Sequence, residues 1–141
     1  MTFVLDNSVT MRWYFGDDAP SPMAYATHVL ETLTTADAVV PVVWSLEVAN
    51  VLARAEAKKL ATEAKSEAFV ALLRRLAINV DGEGVNHALE NTLQLARRYG
   101  LSSYDASYLE LAMREGLPLA TLDEGLLKAA KRAGVKRYPG K

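Results

Sequence analysis

Four acidic residues stand where an α/β protein usually binds its ligands. Asp6 follows a short apolar segment at the start of the chain, and Asp123 follows a similar segment near its end. Glu47 and Asp105 each lie in the first turns of an amphipathic helical segment. If strands and helices alternate here, all four acids lie at the carboxyl ends of parallel strands, the edge at which such sheets bind ligands.

Each acid also has an ordinary structural explanation when it is taken alone. Asp6 fits an Asx turn, Asp105 fits the third position of a capped helix, and Asp123 fits a helix N-cap. Glu47 is harder to explain, because its neighbours three and four residues away are mostly apolar and an unpaired carboxylate on an inward face is costly. Together, the four acids favour a shared site.

A shared site of four carboxylates needs something that offsets their repulsion. At about 5–6 Å and an effective dielectric constant near 20, each of six pairs repels by about 3 kcal/mol. The sum, about 18 kcal/mol, exceeds the roughly 5–15 kcal/mol stability of a typical domain. Apart from Arg12, the sequence offers no obvious counter-ion near these acids. We therefore expect partial protonation or a bound cation, and oxygen ligands favour Mg²⁺ or Mn²⁺, which would activate water for attack on a phosphoryl group.

Other catalytic chemistries lack the residues that they need. The chain has no cysteine, which excludes disulfides, thiolate zinc sites and a cysteine nucleophile. It contains neither a P-loop nor a G-x-S-x-G elbow, and the two glycines at 82 and 84 predict a turn rather than a dinucleotide site. His28 and His87 lie in ordinary helical contexts without a second ligand at metal spacing, so we assign them structural roles.

The segments around the acids predict strands that alternate with helices. The predicted strands lie in Thr2–Leu5, residues 38–43, residues 117–121 and residues 135–138. Within residues 38–43, Pro41 interrupts the pattern, so we expect the strand to end before it. The predicted helices are residues 9–15, 23–33, 44–60, 62–77, 85–99, 103–115 and 124–133, with Pro20 and Pro22 separating the first two. This alternation predicts an α/β fold with a largely parallel sheet. No linker or repeat divides it, so we expect one domain over residues 1–141.

Composition and charge place the protein among soluble globular domains. Half of the 141 residues are apolar and 23% are charged, and no apolar run approaches the ~20 residues needed to span a bilayer. The first residues lack the basic region of a signal peptide. We expect a cytoplasmic protein with no membrane association.

The charge is unevenly distributed along the chain. Residues 125–141 contain six basic residues and no acid, whereas the remainder carries a net charge of −7. A basic tail beside an acidic body predicts a polyanionic partner, although a solvated helix face explains it equally well. Lys128, Lys131 and Arg132 share one helix face and are the predicted contacts to such a partner.

The segments that carry the four acids follow one another in a characteristic order. They are residues 4–9 with 12–14, 41–52, 104–112 and 118–126. These segments, their spacing and the total length resemble the PIN-domain family, specifically the VapC-type toxins of bacterial and archaeal toxin–antitoxin systems. The resemblance covers essentially the whole chain. It departs at Lys59-Leu60, where relatives often have a glycine before the leucine.

The resemblance implies a PIN-like α/β/α sandwich with a short, mostly parallel central sheet, and a metal-dependent endoribonuclease. Ser8 and Thr121 match polar residues that orient acids or hold a water. The implied cofactor is Mg²⁺ or Mn²⁺, and the implied partners are RNA, a VapB-type antitoxin and a second copy in a homodimer. The implied catalytic and metal-binding residues are Asp6, Glu47, Asp105 and Asp123, of which Asp6 and Asp105 are the most direct ligands and Asp123 varies most among relatives.

Three other interpretations remain open. A haloacid-dehalogenase-like phosphatase needs a second acid where Ser8 stands, and a receiver domain needs an acidic pair where Asp6-Asn7 supplies only one acid. A non-catalytic PIN-like domain that binds RNA or protein is the main alternative, but a scaffold gains nothing from clustered acids.

Two predicted helices, residues 44–60 and 23–33, each carry a stripe of apolar residues. These stripes belong either to the core or to a groove for an antitoxin helix.

Overall fold

Four parallel strands form the centre of the protein. The computed structural model describes residues 1–16 and 20–140. The strands are β1 (Thr2–Leu5), β2 (Asp37–Pro41), β3 (Ile78–Asp81) and β4 (Leu119–Ala120). They lie in the order β3-β2-β1-β4, and every pair of neighbours is parallel. The predicted α/β class with a parallel central sheet is therefore confirmed.

Helices flank this sheet along the described part of the chain. They are α1 (Asn7–Phe15), α2 (Pro20–Thr32), α3 (Val42–Ala57), α4 (Glu63–Arg75), α5 (Gly84–His87), a π-helical segment (Ala88–Thr92), α6 (Leu93–Tyr99), α7 (Ser103–Glu115) and α8 (Glu124–Arg132). None of these helices has the length and apolar character needed to cross a bilayer, within the residues that the structure describes.

The core is built around β1, one of the two inner strands of the sheet. Phe3, Val4 and Leu5 are fully buried, as expected for a central strand of a parallel sheet whose two faces are both covered. Helix α7 packs against β1 and β2, and its buried face includes Tyr108 and Leu109. The carboxyl end of β1 therefore adjoins the buried core of the molecule.

Two predicted elements have the bounds that the sequence suggested. β1 spans Thr2–Leu5 and α7 spans Ser103–Glu115, where Ser102 caps the amino end and Gly116 adopts a φ of 64° at the carboxyl end. The left-handed conformation of Gly116 is one that glycine adopts without the steric cost of a Cβ atom. Clear start and stop signals thus fixed this helix.

The predicted strand ends need correction. β2 includes Pro41, whose Cα pairs with Asp81, because a proline at the last position of a strand interrupts no further ladder. Only Leu119–Ala120 forms a strand within the predicted segment 117–121. The predicted strand 135–138 is wrong, since it contributes a single bridge between Leu119 and Arg137.

Several predicted helices also differ from those observed. Pro20 and Pro22 do not lie between two helices but in the first turn of α2, where proline costs no hydrogen bond. The predicted helix 85–99 is interrupted by the π-helical segment. The predicted helices 9–15, 23–33, 44–60, 62–77 and 124–133 are observed with ends shifted by one to three residues. The sequence analysis missed strand β3 altogether.

Candidate active site

Asp6 lies at the carboxyl end of β1 and is the most deeply buried of the four predicted acids. Asp6 is 4% exposed, and its Oδ2 atom accepts hydrogen bonds from Ser8 Oγ at 2.6 Å and Thr121 Oγ1 at 2.8 Å. Burial raises the pKa of Asp6, the two hydroxyl donors lower it, and the charge of Asp123 raises it again. Asp6 occupies the N-cap position of α1 but its side chain makes no capping bond, so helix capping does not explain it.

Ser8 and Thr121 connect the first and last segments of the site. Ser8 Oγ accepts a hydrogen bond from the backbone N–H of Leu122 at 2.9 Å, and Thr121 Oγ1 accepts one from the backbone N–H of Asp123 at 3.0 Å. The backbone N–H of Asp6 donates to the Ala120 carbonyl at 2.9 Å, which ties β1 to β4. The structure thus brings both predicted supporting residues against Asp6.

Glu47 is held by a tyrosine from a different helix. The Tyr108 hydroxyl, on α7, donates to Glu47 Oε1 on α3 at 2.6 Å, and Tyr108 is fully buried. Burial raises the pKa of Glu47, the Tyr108 hydrogen bond lowers it, and the charges of Asp6 and Asp105 raise it. Burial and the nearby carboxylates also raise the pKa of Tyr108, so this hydroxyl stays protonated as a donor.

Tyr108 is a functional candidate that the sequence analysis missed, because its position among the apolar residues of helix 103–115 predicts a core residue. It stands three residues after Asp105, which places the two side chains on neighbouring positions of one helix face. That spacing was the available signal, since a buried tyrosine hydroxyl usually finds a hydrogen-bond partner.

Asp105 and Asp123 differ in what their carboxylates do. Ser102 Oγ accepts the backbone N–H of Asp105 at 3.1 Å, which explains the position of the residue but leaves its carboxylate out of the cap. Burial, followed by the charges of Asp6 and Asp123, raises the pKa of Asp105 to about 6. Asp123 is exposed, and its Oδ2 caps α8 by accepting the backbone N–H of Leu126 at 2.8 Å. The predicted N-cap at Asp123 is therefore observed.

The four acids interact electrostatically without forming a closed metal site. The charge of Asp6 raises the pKa of Glu47 and Asp105, and that of Asp123 raises the pKa of Asp6 and Asp105. No basic side chain contributes to these shifts among the described residues. In residues 1–16 and 20–140, no three acidic or histidine side chains are arranged to hold a metal ion as they stand. Three of the four acids are instead held by local hydrogen bonds.

The donor chemistry of this cluster, defined as Asp6, Glu47, Asp105 and Asp123, nonetheless fits a hard divalent cation. All of its donors are oxygen atoms. Burial, together with the charges of neighbouring acids, raises the pKa values of Asp6, Glu47 and Asp105. We call this group the acid cluster.

The predicted RNA-binding residues lie on one helix but face different surroundings. Lys128, Lys131 and Arg132 are all exposed on α8. The Arg132 guanidinium lies 5.3 Å from the centre of the Tyr99 ring on α6, whereas Lys131 lines a groove beside the C-terminal segment. Lys131 and Arg132 therefore have different neighbours.

The two apolar stripes considered as an antitoxin groove contribute to the core. Trp44, Val48 and Leu52 of α3 are buried, as are Ala26 and Val29 of α2. Large apolar side chains are exposed elsewhere, next to the acid cluster. They line a groove of 310 Å³ and include Val42, Leu46, Val85 and Tyr104.

Comparison with known proteins identifies a matching family and solved structures of similar fold. The model of the family described as PIN domain matches residues 3–132. A crystal structure of PAE2754 from Pyrobaculum aerophilum superposes with a TM-score of 0.67 and 23% identity, covering 97% of this chain and 83% of that chain. VapBC2 from Rickettsia felis, bound to a DNA fragment from its promoter, gives a TM-score of 0.66 and 10% identity, covering 97% of both chains. No curated protein matches the sequence.

Proposed function

The chain belongs to the PIN-domain family, and from that premise we propose that it is a VapC-type endoribonuclease, the toxin of a type II toxin–antitoxin module. PIN domains are generally nucleases and typically depend on a divalent metal ion. The observation that carries the proposal is the acid cluster at the carboxyl ends of the strands, in which burial and neighbouring acids raise the pKa values of Asp6, Glu47 and Asp105. A scaffold would gain no stability from such a cluster.

Each member of the acid cluster has a proposed role. Asp6 and Asp105 would be the most direct ligands of Mg²⁺ or Mn²⁺, with Glu47 and Asp123 completing the set. A bound divalent ion would supply an activated water and charge stabilisation at the phosphoryl group. The protein's own contribution is orientation, because Ser8 and Thr121 fix Asp6 while Tyr108 fixes Glu47.

The substrate that fits this site is RNA whose phosphodiester reaches the acid cluster. The predicted contacts Lys128, Lys131 and Arg132 would bind flanking phosphates and offset the repulsion between the RNA and the acids. We expect the reaction to take place in the cytoplasm, in a single PIN domain over residues 1–141.

The direct test is cleavage by the purified protein, freed of antitoxin. We expect it to cut single-stranded or looped RNA only when Mg²⁺ or Mn²⁺ is added, since all the donors are oxygen atoms. Full activity in excess EDTA would contradict metal dependence. RNA binding without cleavage, with either metal, would instead favour the alternative of a non-catalytic PIN-like binding domain.

A VapB-type antitoxin is the proposed inhibitor. The Rickettsia felis structure of similar fold holds VapBC2 on promoter DNA, which supports a partner of this kind. An antitoxin arginine would pair bidentately with two carboxylates of the acid cluster and so exclude the metal ion. The test is binding to the product of an adjacent small gene. Binding no tighter than micromolar, or binding that leaves RNA cleavage intact, would contradict this mechanism.

A homodimer is proposed through the exposed apolar groove beside the acid cluster. Leu46 is 67% exposed and Tyr104 is 62% exposed, and contiguous exposed apolar side chains mark interaction surfaces. We expect light scattering to give a dimer for the native chain and a monomer for Leu46→Glu. Leu60→Glu is the matched control, because Leu60 is 71% exposed but lies outside the groove. A native monomer would contradict the dimer.

A further inference from the structure

A second groove, of 480 Å³, lies between the end of α8 and the C-terminal segment 134–137. Three exposed cationic side chains line it, namely Lys131, Lys136 and Arg137. Because residues 125–141 contain no acidic residue, no neighbour in this part of the sequence offsets their charge. We call this region, bounded by those three residues, the basic groove. It concentrates positive charge at a place separate from the acid cluster.

Arg137 is held in a defined position within the basic groove. Its guanidinium lies 4.1 Å from the centre of the Tyr25 ring, and the Tyr25 hydroxyl donates to the Tyr138 carbonyl. The segment itself is fixed to β4, since the Leu119 N–H donates to the Lys136 carbonyl and the Tyr138 N–H donates to the Leu119 carbonyl, both at 2.9 Å. A pre-positioned cation loses less conformational freedom when it binds an anion.

The Arg137 side of the basic groove lies beside β4, the strand that precedes Thr121. Arg137 pairs in parallel with Leu119, and Thr121, which holds Asp6, follows two residues later in that direction. Two residues of a strand span about 6.6 Å, so the backbone of Arg137 lies close to the edge at which the acids stand. The backbone of Thr121 also interacts with the Tyr25 hydroxyl, which links the support of Arg137 to the support of Asp6.

We propose that the basic groove binds the phosphate backbone of single-stranded RNA on one side of the bond that is cut. This inference depends on the proposed ribonuclease function and assigns Lys136 and Arg137 as RNA contacts, with Tyr25 as a positioning residue for Arg137. Phosphates that approach four carboxylates need cations nearby, and guanidinium groups bind phosphate oxygens bidentately. The short distance between Arg137 and the strand end that carries Thr121 favours the substrate over an acidic peptide as the occupant.

The test is the salt dependence of RNA affinity in the full-length chain. We would measure fluorescence anisotropy of a short labelled single-stranded RNA of mixed sequence, with EDTA present so that binding is separated from cleavage. Each phosphate contact contributes about −0.7 to the slope of log affinity against log salt, so the variant K131Q/K136Q/R137Q should lose about 2 from the magnitude of the slope. A fourfold rise in salt should then weaken native binding about 20-fold more than binding by the variant.

A matched control separates the groove from overall charge. The variant R54Q/K58Q/R75Q removes three exposed cations at the ends of α3 and α4, outside the basic groove, and should keep the native slope. Tyr25→Leu keeps every charge but should weaken binding about 2- to 5-fold, and Tyr25→Phe, which keeps the ring, should restore native affinity.

Several results would overturn the proposal. They are equal slopes for the native chain and K131Q/K136Q/R137Q, or an equal loss of slope in the control variant. A third is that K131Q/K136Q/R137Q loses binding to labelled polyglutamate, measured as the acidic-peptide probe, while its RNA binding is unchanged. Cleavage of RNA by the native chain, measured separately with Mg²⁺, distinguishes the two hypotheses. Normal cleavage with an unchanged slope refutes the groove alone, whereas a reduced slope without cleavage supports the groove and refutes the nuclease.

Discussion

Two clusters of carboxylates among the described residues differ in how their neighbours shift their pKa values. In one, Arg114 binds Glu110 at 2.8 Å and Asp81 at 2.6 Å, and the Arg114 hydrogen bond lowers the pKa of Asp81. In the acid cluster, burial and like charges raise the pKa of Asp6, and of Asp105 to about 6. Both clusters use α7, the first near its carboxyl end and the second at its amino end.

The comparison separates a structural cluster from a functional one. Arg114 joins α7 to the end of β3, where the Gly84 N–H also donates to Asp81 at 3.0 Å, and so fixes how the helix lies. The same helix then presents Asp105 and Tyr108 to the remaining acids. A balanced cluster, in which a basic side chain pairs with the carboxylates, needs no ligand. An unbalanced cluster, in which the carboxylates repel one another, is stabilised by protons or by a cation.

The largest effect is expected from neutralising the unbalanced cluster. Asp105→Asn should reduce metal-dependent RNA cleavage by about 100-fold or more, comparable with the loss of one positioned catalytic group. Its free energy of unfolding without metal should stay equal to or rise above that of the native protein, because one repelling charge is removed. Cleavage assays and urea unfolding measure both. A melting temperature well below native would indicate a structural role for Asp105 instead.

Breaking the balanced cluster should have the opposite pattern. Arg114→Met leaves Glu110, which is 3% exposed, without its cation, and we expect a loss of about 3–5 kcal/mol in the free energy of unfolding by urea. Cleavage per folded molecule should change little. Arg75→Met, at an exposed arginine of α4, is the control and should stay within about 0.5 kcal/mol of native. A similar small loss for Arg114→Met would mean that the cluster is not stabilising.

Much of the framework of the acid cluster could be predicted from the sequence. Helix α7 has a serine cap, an apolar stripe and a terminal glycine, so its bounds and the position of Asp105 followed from local signals. The alternation of strands and helices likewise placed Asp6 and Asp123 at strand ends. The match of the family model to residues 3–132 confirms the family that the motifs indicated.

What could not be predicted depends on contacts between distant segments. β3 is an edge strand whose central residues, Asn79 and Val80, are exposed, so it lacks the apolar alternation that marks a strand. The bond between Tyr108 and Glu47 joins residues 61 positions apart, and that between Arg114 and Asp81 crosses 33 positions. Spacing along the chain carries no information about such pairs.

The two clusters should also respond to pH in opposite directions. The pKa of Asp105 rises from 3.8 to about 6 on folding, so the native state binds more protons than the unfolded state between these values. The metal-free protein should therefore lose stability as the pH rises from about 4 to about 6, by at most about 3 kcal/mol from this group. The raised pKa values of Asp6 and Glu47 act in the same direction.

Asp81 provides the contrast, because its pKa is lowered in the folded state. Its contribution to stability is present above its unfolded pKa of 3.8 and is lost as the pH falls through the lower folded value. Urea unfolding in EDTA across this range measures both effects. Asp105→Asn should reduce the loss of stability between about pH 4 and 6 and leave the loss at lower pH, which Asp81 contributes, unchanged. A native slope between pH 4 and 6 in that variant would contradict the assignment of this loss to Asp105.

The smallest expected effect concerns the hydrogen bond that orients Glu47. Tyr108→Phe keeps the buried ring but removes the hydroxyl that donates to Glu47 Oε1 at 2.6 Å, so the unfolding free energy should fall by about 1 kcal/mol. Because this bond lowers the pKa of Glu47, the acidic limb of the cleavage profile should move to higher pH.

Tyr14→Phe is the matched control, since the Tyr14 hydroxyl shares a neutral, buried hydrogen bond with Ser66 Oγ at 3.2 Å. It should cost similar stability and leave the pH profile unchanged. Identical pH profiles for Tyr108→Phe and the native protein would place Glu47 outside the catalytic set.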